Sequence, residues 1–145
     1  MPPGDAAKSS RMGSRISKIL AVVAIIVFAM IYFGRKLIMG TKYKVNDKES
    51  INYSKKATET DAKKLGELLQ TLKVFDGTKE RDVLLSVDET EGTVISFVFS
   101  GNRDDEAILT AFRLIGEAAL AAGFTKPLTI RLMDENLNTL KDIPL

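Results

Sequence analysis

Val83-Leu84-Leu85-Ser86-Val87, Asp88-Glu89-Thr90-Glu91-Gly92 and Thr93-Val94-Ile95-Ser96-Phe97-Val98-Phe99 decide how the rest of the chain is read. The first five residues are a short strand of the buried type. The next five are turn chemistry, acids closed by a glycine. The last seven are β-branched and aromatic. They alternate, with Ile95, Phe97 and Phe99 on one side and Val94 and Val98 on the other. Two such runs joined by a short polar turn read as an antiparallel hairpin.

The flanks of the hairpin repeat one pattern. Before it, Glu49–Ser54 alternates, with Ile51 and Tyr53 on one face, and reads as a strand. Thr58 and Asp61 then stand three apart, as in a capping box. Ala62, Leu65, Leu68, Leu69 and Leu72 follow at helical spacing. Gly66 inside that helix costs up to ~1 kcal/mol relative to alanine, and a close approach by a neighbouring element would explain it. After the hairpin, Asn102 or Asp104 can cap a second helix, whose stripe is Ile108, Phe112, Ile115, Ala119 and Ala122. Gly123 suits its C′ position. Leu128–Met133 alternates again, and a last strand is expected near Asn138–Ile143.

The resulting order is β-α-β-β-α-β with an extra strand. The expected fold class is α+β, a small ferredoxin-like two-layer sandwich with both helices on one face of an antiparallel sheet. This domain should span residues 49–145, preceded by a linker over 40–48.

Upstream the chain changes character. Residues 19–34, ILAVVAIIVFAMIYFG, are sixteen consecutive uncharged residues. As a helix this run is about 24 Å long, and lysines and arginines at its ends can reach the headgroups of a ~30 Å hydrocarbon core. Residues 19–39 are therefore expected to form a single transmembrane helix. The run ends without a small-x-small cleavage site, so it reads as an uncleaved signal-anchor. Residues 1–18 are small, polar and basic and are expected to be a disordered tail. Positive charge flanks both ends of the run equally. Single-pass bacterial proteins with a short N-tail most often keep that tail inside. The expected location is thus the bacterial inner membrane with the domain exported, in the periplasm.

The net charge of +2 conceals this division. Residues 1–44 hold eight basic residues and one acid, whereas residues 45–145 hold thirteen basic and eighteen acidic residues, a net of −5. An acidic domain with scattered cations disfavours nucleic acid as a partner.

His, Cys and Trp are all absent. That excludes disulfides, Cys/His zinc sites and histidine general-base chemistry. No phosphate-loop, dinucleotide-binding or nucleophile-elbow motif occurs. Three acidic clusters remain: Asp88/Glu89/Glu91, Asp104/Asp105/Glu106 and Asp134/Glu135. The first and third read as turns and the second as a helix start, where the dipole favours acids. No catalytic residue, metal ligand or cofactor is assigned.

Tyr53-Ser54, Ala57-Thr58, Asp61-Ala62, Leu65-Gly66, Phe75-Asp76-Gly77, Val83–Ser86 and Val94–Val98 resemble the C-terminal domain of small uncharacterised bacterial membrane-anchored proteins. The resemblance covers residues 49–143. It implies a domain and no activity or site residue.

The expected function is non-enzymatic: a domain anchored to a lipid bilayer that binds or scaffolds a protein partner. Val94 and Val98, facing away from the core, would offer that partner an apolar patch if nothing covers them. Lys55, Lys56, Lys63 and Lys64 are candidates for facing lipid. The rival reading is a carboxylate-based enzyme or a small-ligand or lipid-binding domain tethered to the membrane.

Overall fold

The computed structural model describes residues 40–145. The transmembrane helix and basic tail expected within residues 1–39 lie outside the described residues. Among the described residues no helix is long and apolar enough to cross a membrane.

Among the described residues, six strands and two helices follow one another: β1 (Thr41–Lys44), β2 (Glu49–Lys55), α1 (Glu59–Thr71), β3 (Arg81–Asp88), β4 (Gly92–Val98), α2 (Glu106–Ala121), β5 (Leu128–Met133) and β6 (Thr139–Pro144). The β3–β4 hairpin forms as its sequence indicates, with Leu85 opposite Ile95 and Asp88 opposite Gly92. Gly92 closes the turn at φ +74°, a conformation that side chains resist. α1 begins with the full capping box of Thr58 and Asp61. Asp105 caps α2, rather than Asn102 or Asp104, by accepting from the N–H groups of Ala107 and Ile108.

The sheet is mixed, in the order β1-β2-β3-β4-β5-β6. β2 and β3 are parallel neighbours, as are β4 and β5, and the other pairs are antiparallel. The fold is therefore α+β but not the ferredoxin-like sandwich. In that fold each β-α-β unit skips a strand, which the other unit fills. Here each unit closes on its immediate neighbour. The cause lies in residues 40–48, expected as a linker. Residues 41–44 of that segment form β1, which hairpins onto β2 with Tyr43 opposite Ile51. β2 then has one free side left, and β3 takes it. The split order would need both.

Both helices cover one face. Leu65 and Leu69 of α1 and Ile108, Phe112 and Ile115 of α2 join one core with Ile51, Leu85, Ile95, Phe97 and Ile130 of the sheet. Phe112 packs tilted against Phe97 and edge-on to Phe99, at centroid distances of 5.3 and 5.7 Å. With β2 and β3 antiparallel to β4 and β5, and both helices on one face, the two crossovers must have opposite hands. One thus departs from the right-handed rule that ~98% of such connections obey. That rule favours the split order, so the two outer hairpins, β1–β2 and β5–β6, override it. Gly66 faces the β1–β2 turn: a Cβ there would lie 2.6 Å from Val45 Cγ2. The close approach that its glycine suggested is to this hairpin.

Candidate functional site

The face of the sheet away from the helices is the candidate site. It alternates with the core face, so the same strands that bury Ile51, Leu85, Ile95 and Ile130 present Ser50, Asn52 and Ser54 from β2, Leu84 and Ser86 from β3, and Ser96 from β4 to the other side. β5 adds Arg131 opposite Ser96 and Met133 opposite Val98. A shallow cleft of about 200 Å³ opens there, lined by Ser54, Ser86, Ser96, Leu84, Met133 and Arg131, with Lys55, Glu91, Leu137 and Thr139 at its margin. Its apolar floor is a small cluster in which Val98 and Met133 pack with Leu84 and Leu137.

The charges around the cleft are paired. Arg131 donates from Nε to Asp142 Oδ1 at 2.8 Å and from Nη2 to Asp142 Oδ2 at 3.2 Å, and Nη2 also reaches Glu91 Oε1 at 3.5 Å. Asp142 above all, then Glu91, raises the Arg131 pKa further. Lys55 donates to Asp88 at 2.8 Å. That bond, with N–H groups from the β3–β4 turn, holds the Asp88 pKa down to about 2 and raises that of Lys55. A proton-transfer group needs a pKa near the working pH. These shifts run the opposite way, fixing each group in its charged form.

A second cluster is buried beneath the loops at the other end of β2 and β3. Glu49 is 0% exposed and Arg81 1%. Arg81 Nη1 donates to Glu49 Oε2 at 2.8 Å and to Asp76 Oδ1 at 3.0 Å. Glu49 also accepts from Asn46 Nδ2 at 2.9 Å, Gly77 N–H at 2.5 Å and Asp76 N–H at 3.3 Å. The Thr78 hydroxyl, bonded to Asp76, is the main cause of its pKa falling to about 2, with Arg81 adding to it. This arrangement ties the β1–β2 turn to the loop after α1. It closes on itself, with Arg81 Nε its one buried side-chain atom lacking a partner among the described residues. It acts as a clamp and offers no surface to a ligand.

The structure distributes the residues singled out from sequence. Val94 and Val98 do point away from the core face, but they are 2% and 1% exposed, and the apolar patch they were to supply is not at the surface. Lys55 and Lys56 are paired with Asp88 and Glu89. Lys63 is exposed on α1, and Lys64 lies over the Phe124 ring at 4.3 Å. The four lysines thus form no single patch: two sit at the end of β2 and two in the helical layer. Of the acidic clusters, Asp88 and Asp134 accept from backbone N–H groups of their own turns and Asp105 caps α2. Among the described residues no group of three or more acids gathers as a metal site.

Sequence reading missed Arg131, the serine row and the Glu49–Arg81 clamp. The serine row left a partial signal: Ser50, Asn52 and Ser54 alternate with Ile51 and Tyr53 in β2, whereas β3 and β4 each give one serine, Ser86 and Ser96, among Leu84, Val94 and Val98 on the same face. The clamp left none, because its two charges lie 32 residues apart and both open a strand.

Fold and site define an α+β domain with helices on one sheet face and, among the described residues, no helix on the other. The chain belongs to the AF_1994_N family, matching the family N-terminal domain over residues 42–144. The matched segment begins within β1 and ends with β6, so both outer hairpins belong to the family's domain. No curated protein and no solved structure matches the chain.

Proposed function

We propose that this domain is a non-enzymatic docking module, held at a membrane by the apolar run of residues 19–34, whose helix-free sheet side receives a protein partner. The observation that carries the reading is this helix-free face, where Ser54, Leu84, Ser86 and Arg131 stay half-buried around a cleft while Val94 and Val98 are buried beneath it. It joins an apolar floor to a polar margin, as interfaces do, and its charges are already mutually neutralised instead of poised for chemistry. At about 200 Å³ the cleft is smaller than the ~300–1,000 Å³ usual for small-molecule sites, which favours a larger partner touching the whole face over an enclosed ligand. The run of sixteen uncharged residues supplies the tether, and the inner-membrane location with the domain exported is part of the same proposal.

The test is photo-crosslinking in native membranes from probes placed at Lys42, Ser86 and Thr139, with Lys63 on the helical layer as control. The reading expects one discrete protein adduct from the open-face positions and none from Lys63. Adducts with lipid only, or equal labelling from both layers, refute it.

A further inference from the structure

The two edges of the sheet are finished differently. In an antiparallel ladder, residues alternate between bonding their neighbour through both backbone groups and turning both groups away. On β6, Leu145 N–H donates to Leu128 O. Counting back along the register, Ile143 and Lys141 face β5, while Pro144 and Asp142 face outward. Pro144 has no N–H, and the ladder is irregular at Leu132/Met133. A proline at an outward position and a bulge both block a further strand.

β1 has neither obstacle. Val45 N–H donates to Glu49 O. By the same count Tyr43 and Thr41 bond β2, and Lys42 and Lys44 turn N–H and C=O away from the sheet. Their side chains stand on the open face, beside Asn52 and Ser50. Lys42 Nζ is 3.9 Å from Asp82, and Lys44 is exposed with no acidic partner among the described residues.

We infer that β1 is the docking edge and that its occupant is an extended segment of a partner protein carrying acidic side chains at alternate positions. The inference rests on the docking reading above and names the partner's chemistry. An added strand takes main-chain bonds from Lys42 and Lys44 and sets two of its own side chains opposite theirs. Charge also rejects one competing occupant. A second copy pairing antiparallel about a two-fold axis would bring the Lys42 and Lys44 side chains of both copies together across the edge. The pair that welcomes acids thus repels its own kind.

The experiment uses the full chain in neutral-lipid nanodiscs and two fluorescein-labelled probes, an octapeptide alternating glutamate with valine and its lysine–valine counterpart. Anisotropy should show the glutamate peptide binding at least tenfold tighter, and the Lys42→Glu/Lys44→Glu variant should reverse that preference. Lys44→Pro removes an outward N–H together with the Lys44 charge, while leaving in place every N–H that bonds β2. It should weaken glutamate-peptide binding while the Thr41 and Tyr43 amides stay protected from exchange. Equal binding of the two peptides, unchanged binding in the charge-reversal variant, or copies of the chain crosslinking through Thr41 would each overturn the inference. If open-face probes still capture a protein that charge reversal leaves undisturbed, this inference fails and the docking reading stands. If no protein is captured at all, the docking reading fails too.

Discussion

Glu49→Ala should be among the most damaging single substitutions in the domain. The carboxylate is wholly buried and accepts from four donors: Arg81 Nη1, Asn46 Nδ2 and the N–H groups of Asp76 and Gly77. Its removal strands a guanidinium that is 1% exposed. Asp76 alone is left to face that charge, at 3.0 Å. Breaking a buried pair from one side costs about 3–5 kcal/mol, against a total stability of ~5–15 kcal/mol for a domain of ordinary size. For a domain near 100 residues the midpoint should fall by ~15 °C or more. Arg81→Met should cost less, because the carboxylate then keeps three donors. The double variant Glu49→Leu/Arg81→Met strands no charge and leaves three unpaired neutral donors at ~1 kcal/mol each, some relieved by water. It should lie within about 1–3 kcal/mol of wild type. Urea unfolding of the four proteins, followed by circular dichroism, measures the coupling. A double variant no more stable than the two single losses combined would refute the argument that charge burial, and not the lost contacts, governs the site.

Gly66→Ala should destabilise by about 1–2 kcal/mol despite alanine's better helix propensity, because its Cβ meets Val45 at 2.6 Å; pairing it with Val45→Ala should recover the loss in the same unfolding assay. Gly92→Ala should cost more than ~2 kcal/mol, since φ is +74° and its Cβ would lie 2.3 Å from the Pro127 carbonyl oxygen, a backbone atom that cannot swing aside. Asp76 and Asp88 have folded pKa values of about 2 against an ordinary 3.8. Their stabilisation is thus complete above pH ~4 and fades as pH falls towards 2, and Asp76→Asn should flatten that slope in a pH series of midpoints. Thr58→Ala should lower stability by ~1 kcal/mol by opening the capping box, read as faster amide exchange in the first turn of α1.

Local elements were legible in this sequence because their signals are local. The β3–β4 turn, the Thr58–Asp61 cap and the helical stripes are each decided within a few residues. Strand order is not decided that way. GTKYKVNDK has no apolar run and carries three lysines and an Asn-Asp pair, so it reads as a linker. Yet Tyr43 packs against the core and Asn46 organises the turn, its Oδ1 accepting from the N–H groups of Lys48 and Glu49 at 2.9 Å. An edge strand needs only one inward side chain and is free to be charged elsewhere, which is why composition conceals it. The site was harder still. Val94 and Val98 stand on the face the sequence indicates, and Leu84 comes with the expected hairpin, but Met133 and Leu137 come from a strand and a turn that only the observed order brings beside Val98.

The misread edge and the misread topology are therefore one error, and it bears on function. A split order would have placed β3 and β5 at the edges, with no lysine pair turned outward. The observed order instead puts the first strand after the apolar run at an edge. If that run crosses the bilayer up to Met39, one residue, Gly40, separates it from Thr41, a reach of about 7 Å over two Cα steps. Six strands at ~4.8 Å carry β6 roughly 24 Å across the sheet from β1. The edge with usable N–H groups would then be the one nearest the membrane surface, and the edge closed by Pro144 the far one. A partner adding a strand to β1 would have to present its extended segment close to the bilayer, as a segment adjoining its own membrane anchor does. Lengthening the chain between Met39 and Thr41 by ten Gly/Ser residues tests this geometry. Crosslinking at Lys42 to a membrane-anchored partner should fall as β1 leaves the surface, while binding of the free glutamate peptide stays unchanged.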